Sequence, residues 1–160
     1  MRKKLLTLNH AVLFLCASMY FGTGWSLVLF SFPIAPKLTP EDYYNQFVPQ
    51  VDAATQFFTY MTLVMIVCAI VMAIAEWKHG DRWVPIVVLL GVLVATGLTT
   101  RFIFPYNQMM REGITDAVKL QEVLGKWIFF NKIRVGLWTV QWLAMMSYFG
   151  LKAYRADSRG

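Results

Sequence analysis

One face of one apolar segment carries side chains that could bind an anion. On an α-helix, which advances about 100° per residue, Asn131, Arg134, Trp138 and Gln141 all project within about 40° of Trp127. A guanidinium offers five donors in a planar fork, amides offer both donors and acceptors, and indole rings stack on flat molecules. These five residues are the first candidates for a binding site.

The cost of placing a charge in lipid indicates which way this stripe should face. Arg134 immediately precedes an uncharged run, and an Arg at the centre of a membrane helix costs about 2.5–3.5 kcal/mol. We therefore expect the stripe to face other helices or a wet cavity. The alternative is that Arg134 reaches outward to phosphate headgroups and that Asn131 only makes a helix–helix hydrogen bond.

The preceding apolar segment ends in a second group of polar residues. Positions 100–107 read TRFIFPYN, which adds a cation and an amide near the same predicted membrane face. We expect Arg134 and Asn131 to act on a bound substrate, and a further set of residues to bind it. The expected substrate-binding residues are Arg101, Asn107, Trp127, Trp138 and Gln141.

Four apolar segments must position these side chains. Hydrophobic residues make up 58% of the 160 residues and charged residues only 15%, whereas a soluble domain has about 45–50% and about 25%. Uncharged runs occupy Ala11–Pro36, Ala53–Ala75, Trp83–Thr100 and Val135–Leu151. Since about 20 apolar residues cross a membrane, we predict an all-α integral membrane protein with spans at roughly 8–34, 52–77, 83–104 and 127–152.

Short connections between the spans favour an antiparallel up-and-down four-helix bundle, as one transmembrane domain over residues 1–160. Two longer connections lie on the outward side. The first contains Thr39-Pro40 and Asp42, a pattern typical of a helix start. The second contains a predicted helix at about Thr115–Leu124. We expect these two outward loops to form a helical cap on the bundle.

The distribution of charge predicts the orientation in the membrane. One face receives the N-terminus, the Glu76–Arg82 turn and the C-terminal tail, which hold eight basic and three acidic residues, against seven and six on the other face. Basic residues in short segments beside the membrane remain cytoplasmic. We expect both termini in the cytoplasm and the protein in a bacterial inner (plasma) membrane. The net charge of +6 is then a topology signal, and we expect no nucleic-acid partner.

Several kinds of redox and metal chemistry find no support in the sequence. Cys16 and Cys68 are the only cysteines and form no Cys-x-x-Cys pair, so we expect two inert thiols. His10 and His79 lie at a predicted helix start and in a basic turn, whereas membrane haem needs axial ligands that face each other across a bundle. We expect no metal and no cofactor.

Small residues predict where the helices approach closely. They recur every four positions in the first and third spans, as Ser18, Gly22 and Ser26 and as Gly91, Ala95 and Thr99. Helices associate in a bilayer through close backbone packing at such residues. We interpret both stripes as packing seams.

The candidate residues also carry a family resemblance. The pattern consists of Pro105-x-Asn107, Trp127-x-x-x-Asn131-x-x-Arg134, Gly22-x-Gly24 and Pro33. It resembles the anthrone-oxygenase-like family of small four-helix membrane proteins, over nearly the whole chain. The resemblance implies the fold, and it implies the activity of a few members, which oxidise anthrones to anthraquinones with molecular oxygen and no evident cofactor. Most bacterial members of that family have no assigned activity.

An oxygenase built on these residues would work through an enolate. A flat phenolic substrate would enter from the lipid and stack on Trp127 or Trp138. Arg134, helped by Arg101, would favour the enolate, because a cation in a low-dielectric pocket lowers the pKa of a neighbouring acid. The amides of Asn107 and Asn131 would hold the oxygen atoms of the substrate. No general base is identified, since the outward acidic residues carry no motif.

Two other classes of function fit the same residues. The cationic and aromatic pocket could bind a quinone, a lipid headgroup or another hydrophobic small molecule without chemistry, as a binding or transport-like module. The chain could instead be an accessory subunit of a larger membrane complex or a homo-oligomer, with its aromatic surface as the interface. A copurifying amphiphile would favour the first class, and a stoichiometric partner the second.

Overall fold

The computed structural model describes residues 2–158, and the elements within that range are helices without a β-strand. Four long helical stretches follow one another: α1 (Arg2–Lys37), α2 (Tyr43–Glu76), α3 (Gly80–Glu112) and α4 (Ala117–Asp157). In the described range, α1, α2 and α3 are long and apolar enough to cross a membrane. The all-helical prediction is therefore confirmed, and the protein is of membrane type.

The helix α4 contains the fourth predicted span but differs from the other three in composition. At 41 residues it is the longest helix. Asn131, Arg134 and Gln141 interrupt its apolar character, so it does not match α1 to α3 in apolarity. The helix expected separately at 115–124 is the first part of α4, which begins at Ala117 because the Asp116 side chain accepts a hydrogen bond from the Lys119 amide at 2.7 Å.

The helices α1 and α3 each contain a π-helical turn. These turns are Leu27–Ser31 in α1 and Thr99–Ile103 in α3, and Pro33 and Pro105 lie two residues beyond their ends. Proline removes a backbone donor and crowds the preceding turn. The backbone hydrogen bonds there join residues five apart, as in a π-helix, and not four apart. Such π turns often occur at functional sites.

Each helix packs against two others. The helix α4 lies against α1 and α3, and α2 lies against the same two helices. Large apolar side chains cover the outside of this arrangement, for example Ile74, Val67, Leu90 and Phe129, which are 74%, 61%, 57% and 60% exposed. A soluble protein rarely exposes so many large hydrophobic residues together, and this surface suits contact with lipid.

Two apolar clusters fill the interior. One occupies the middle of the helices and includes Leu13, Met65, Val88 and Met145. The other lies at the end of the bundle where residues 38–42 and 113–116 connect the helices, which we call the loop end. There the Tyr43 hydroxyl donates to the Met110 carbonyl at 3.0 Å and accepts from the Ile114 amide. This hydroxyl ties the start of α2 to the end of α3.

The packing seam of α1 differs from the predicted stripe. A Cβ atom added to Gly22 would meet nothing within 4 Å, and Gly22 is exposed. At Gly24 it would come within 2.8 Å of Trp138 Cε3 and 3.0 Å of Val135 Cγ2. The inward face of α1 follows a spacing of three and four residues through His10, Leu13, Ala17, Tyr20 and Gly24, which keeps one face on a helix of 3.6 residues per turn, whereas a strict spacing of four drifts off it.

The two glycines of α1 provide a matched pair for testing this packing. We expect Gly24→Ala to lower the free energy of unfolding by about 1–3 kcal/mol, because the methyl group overpacks the contact with α4. We expect Gly22→Ala to be neutral or slightly stabilising, since it adds a methyl group in open space and removes backbone freedom. The measurement is the thermal unfolding midpoint of the purified protein in detergent. Equal midpoint shifts for both variants would contradict this account of the α1–α4 contact.

Candidate functional site

A cavity lies among the four helices. Its volume is about 500 Å³, within the usual range for small-molecule sites of about 300–1,000 Å³. All four helices contribute lining residues, including Tyr20 and Ser31 of α1, Phe58 of α2, Thr99 of α3 and Trp138 of α4. Both π turns contribute as well, since Leu27, Ser31, Thr99, Thr100 and Ile103 are among the lining residues.

The guanidinium of Arg134 lies in the wall of this cavity. One terminal nitrogen donates to Thr99 Oγ1 at 3.3 Å, and the other donates to Asn131 Oδ1. The Thr99 hydroxyl donates its own proton to the Ala95 carbonyl at 2.8 Å, so it can only accept from Arg134. The guanidinium carbon lies 4.6 Å from the centre of the Trp138 ring, at cation–π distance. The sequence prediction that Arg134 faces the interior is confirmed.

Arg134 has no carboxylate partner within residues 2–158. The acidic side chains in ion pairs there lie elsewhere: Asp52 pairs with Arg111, Glu122 with Lys126, and Glu76 and Asp81 with Lys152 and Arg155. None of the described lining residues is an Asp, Glu or His. Burying a charge without a counter-ion costs several kcal/mol. Arg134 is thus a cation whose Nε is buried without a hydrogen-bond partner in the described chain.

A second unpartnered donor lines the same cavity. Gln141 is 2% exposed, and its Nε2 is buried without a hydrogen-bond partner in the described part of the protein. Gly91 makes room for it, because a Cβ atom at position 91 would lie 2.7 Å from Gln141 Cγ and Nε2. Arg134 and Gln141 are seven residues apart on one face of α4, about 10 Å along the helix axis. Arg134 and Gln141 thus both line the cavity, and each has one buried nitrogen without an acceptor in the described chain.

A buried hydrogen-bond network positions Arg134. The Trp127 indole donates to Asn107 Oδ1 at 2.7 Å, which links α4 to α3. Asn131 is fully buried; its amide nitrogen donates to the Trp127 carbonyl at 2.8 Å and its amide oxygen accepts from Arg134. The sequence prediction gave Asn131 a role in holding substrate oxygens. In the structure both ends of its amide bond to α4 itself, and Asn131 is not among the described lining residues, so it contacts Arg134 and not the cavity.

The cavity is lined by four of the five residues expected to bind substrate, namely Asn107, Trp127, Trp138 and Gln141. The two indoles already have aromatic neighbours. The ring centre of Trp138 lies 4.8 Å from that of Tyr20, and Phe32 and Phe47 meet Trp127 edge-on, at 5.8 and 4.9 Å between ring centres. The indole faces are thus partly occupied by the protein itself.

Arg101 is not brought together with the other site residues. It is exposed, and it is absent from the described cavity lining. Thr99 faces Arg134, and a residue two positions further along a helix projects about 200° away from it. Arg101 therefore points outward, where its long side chain can reach a membrane interface.

A second polar cluster, not predicted from the sequence, joins the helices at the end opposite the loop end. The Tyr148 hydroxyl donates to Glu76 Oε1 at 2.7 Å and lies 3.2 Å from His10 Nδ1. Lys152 lies 3.3 Å from Glu76 Oε2, and Arg155 donates to Asp81 Oδ2 at 2.6 Å. A sequence signal was present: Tyr148, Lys152 and Arg155 share one face of α4 and can meet the acidic residues of the α2–α3 turn. Over the whole of residues 2–158, no three His, Cys, Asp or Glu side chains lie close enough together to hold a metal ion.

This cluster provides a second test of the fold. We expect Tyr148→Phe to destabilise the protein by about 1–3 kcal/mol, because it removes a buried donor from the Glu76 carboxylate. Tyr154→Phe is the matched control. We expect it to leave the unfolding midpoint unchanged, because Tyr154 is 72% exposed on the same helix. The readout is the unfolding midpoint in detergent at neutral pH. A Tyr148→Phe protein as stable as the control would mean that this hydroxyl does not hold the cluster together.

Comparison of the chain with protein-family models, with curated proteins and with solved structures finds no match.

Proposed function

We propose that this protein binds, in its cavity, a hydrophobic phenolic or quinone-like small molecule that carries acceptor oxygens. One observation carries the proposal: Arg134 lies in the cavity wall without a carboxylate among residues 2–158. A phenolate, an enolate or a quinone carbonyl would supply the electron density that the guanidinium lacks. Charge-assisted hydrogen bonds to such oxygens are about twice as strong as neutral ones.

The chemistry of the lining supports an acceptor-bearing ligand. Arg134 Nε and Gln141 Nε2 can only donate and have no partner in the described protein. A ligand that lacks acceptors would leave both donors unsatisfied, which costs about 1–3 kcal/mol for each buried group. The remainder of the lining is mostly apolar or carries hydroxyl groups. The ligand we propose is therefore apolar over most of its surface, with oxygen atoms close to the Arg134 and Gln141 side chains.

The proposed setting is a bacterial inner membrane crossed four times. In this arrangement α4 is the fourth span, the helices run antiparallel, and both termini are cytoplasmic. The apolar exterior and the single short turn between α2 and α3 support it. The apolar cluster at the loop end would form the cap on the outward side, and the Tyr43 hydroxyl would hold its two loops together.

A second candidate function is oxygenation of the bound molecule, favoured by the cation beside the cavity and by the family resemblance. An anthrone would lose a C–H proton to solvent, because no Asp, Glu or His is among the described lining residues. Arg134 would stabilise the resulting enolate. Dioxygen would add at the carbanion carbon, and the peroxide anion would take up a proton from solvent. The hydroperoxide would then lose water, which removes the remaining hydrogen on that carbon and breaks the O–O bond, to leave the second carbonyl of an anthraquinone. Without a base in the described site, ligand binding is the better-supported function.

The geometry of Arg134 gives the central test of ligand binding. We expect Arg134→Lys to weaken binding of 1,8-dihydroxyanthraquinone by about tenfold or more, because a lysine cannot keep the forked contacts to Asn131 and Thr99 and also direct a donor into the cavity. The measurement is quenching of tryptophan fluorescence in lipid nanodiscs. Oxygen uptake with the corresponding anthrone, recorded on the same samples, distinguishes the oxygenase candidate from binding alone.

Arg101→Lys is the control for this experiment, because Arg101 is exposed and outside the described lining. It should bind like the unsubstituted protein. The unfolding midpoint of each variant shows whether the fold is intact. A folded Arg134→Lys protein that binds as tightly as the Arg101→Lys protein would contradict the proposed role of the guanidinium.

The orientation is tested by labelling single cysteines in a Cys16→Ala/Cys68→Ala background. We expect a membrane-impermeant thiol reagent to label Glu41→Cys in intact spheroplasts, and to label Ser158→Cys only after the membrane is broken. Both positions are exposed in the folded protein, so a difference in labelling would report the side of the membrane and not burial. Labelling of Ser158→Cys from outside would overturn the orientation.

A further inference from the structure

The geometry points to a ligand with a long apolar tail, whose polar head lies at Arg134 and Gln141 and whose tail leaves the cavity sideways between α2 and α3 into the membrane. This inference rests on the proposed function, because it needs a ligand head in the cavity. It goes further by naming the ligand class as a tailed amphiphile, such as a quinone with a prenyl chain, in place of a compact ring system.

The exposure of the lining residues locates the opening. A residue that lines the cavity and is also exposed stands where the cavity meets the outside. Seven described lining residues are exposed, and six of them lie on α2 and α3: Gln50, Thr59 and Leu63, and Thr96, Thr100 and Phe104. On α4, by contrast, none of the four described lining residues is exposed: Trp127, Trp138 and Gln141 are at least 95% buried, and Arg134 is of intermediate burial. The cavity is closed on the α4 side and open between α2 and α3.

The opening lies along the middle of the helices. Thr96 is the central residue of α3 (Gly80–Glu112), and Leu63 is well inside α2 (Tyr43–Glu76). From Gln50 to Leu63, the opening extends about 20 Å along α2. The hydrocarbon core of a bilayer is about 30 Å thick, so most of this opening would face lipid tails. A substituent that leaves the cavity there must be soluble in hydrocarbon.

The walls of the opening suit an apolar chain. Thr59, Thr96 and Thr100 have hydroxyl groups, but each donates to a backbone carbonyl of its own helix, at 2.7, 2.8 and 3.0 Å. These three hydroxyl groups therefore need no further hydrogen-bond acceptor. The methyl groups of the same side chains can contact an apolar chain. Threonine is also smaller than the leucine and phenylalanine residues nearby, so the two helices leave room between them. The unpartnered donors lie deeper, on α4.

The test compares two probes that share one head group. The probes are menadione, which has no tail, and the same naphthoquinone ring with a polyprenyl tail. Binding is measured by quenching of tryptophan fluorescence in nanodiscs of fixed lipid composition, so that partitioning of each probe into lipid is the same for every variant. Thr96→Phe narrows the opening and leaves Arg134 and Gln141 unsubstituted. Val94→Phe is the matched control, since Val94 is 56% exposed on the same helix and is not among the lining residues.

We expect Thr96→Phe to weaken binding of the tailed probe by about tenfold and to leave binding of menadione unchanged. Val94→Phe should change neither. Thr100→Phe should repeat the result, so that the outcome does not depend on one variant folding. If the folded Thr96→Phe and Thr100→Phe proteins bind the tailed probe as tightly as the control, or lose both probes equally, the lateral tail is wrong while the head site stands. If neither probe binds the unsubstituted protein, the proposed quinone-type function fails and this inference fails with it.

Discussion

The guanidinium of Arg134 is the constraint around which the rest of the structure is arranged. It is a permanent cation inside an apolar bundle, and no carboxylate pairs with it among residues 2–158. Two hydrogen bonds and one aromatic face compensate part of the cost of burial, while Nε remains without a partner there. This imbalance is the basis of the proposed ligand binding, because an acceptor oxygen in the cavity would compensate the buried cation.

Several features far apart in the sequence serve this one group. Asn131 holds the guanidinium from the same helix, and the π turn that begins at Thr99 brings a hydroxyl acceptor to it from α3. Gly24 admits the Trp138 ring on which the cation lies, and Gly91 admits Gln141. A small residue at each of these contacts lets α4 approach α1 and α3 closely. The polar cluster around Glu76 holds the opposite end of the bundle, at a distance from the cavity.

The sequence allowed the helices and most of the site to be predicted, because helical periodicity and the cost of charge in lipid are local properties. Arg134, Trp138 and Gln141 face the cavity as the stripe indicated. Contacts between distant segments could not be read in this way. The outward direction of Arg101 and the meeting of His10, Glu76 and Tyr148 depend on how the helices are rotated against each other. Both hydrogen bonds of the Asn131 amide are made within α4, and helical spacing alone does not favour them over contacts with a ligand. Rotation is set by packing, which no single segment specifies.

Native mass spectrometry of the protein released directly from its own membranes tests the central claim most directly. The account predicts a bound small molecule, with carbonyl or phenolic oxygens, on the unsubstituted protein, and its loss from an otherwise folded Arg134→Gln protein, which keeps a polar side chain but removes the charge. An unsubstituted protein that is consistently free of any such molecule, or one whose bound molecule is retained equally by Arg134→Gln, would contradict the claim that this cation requires a ligand.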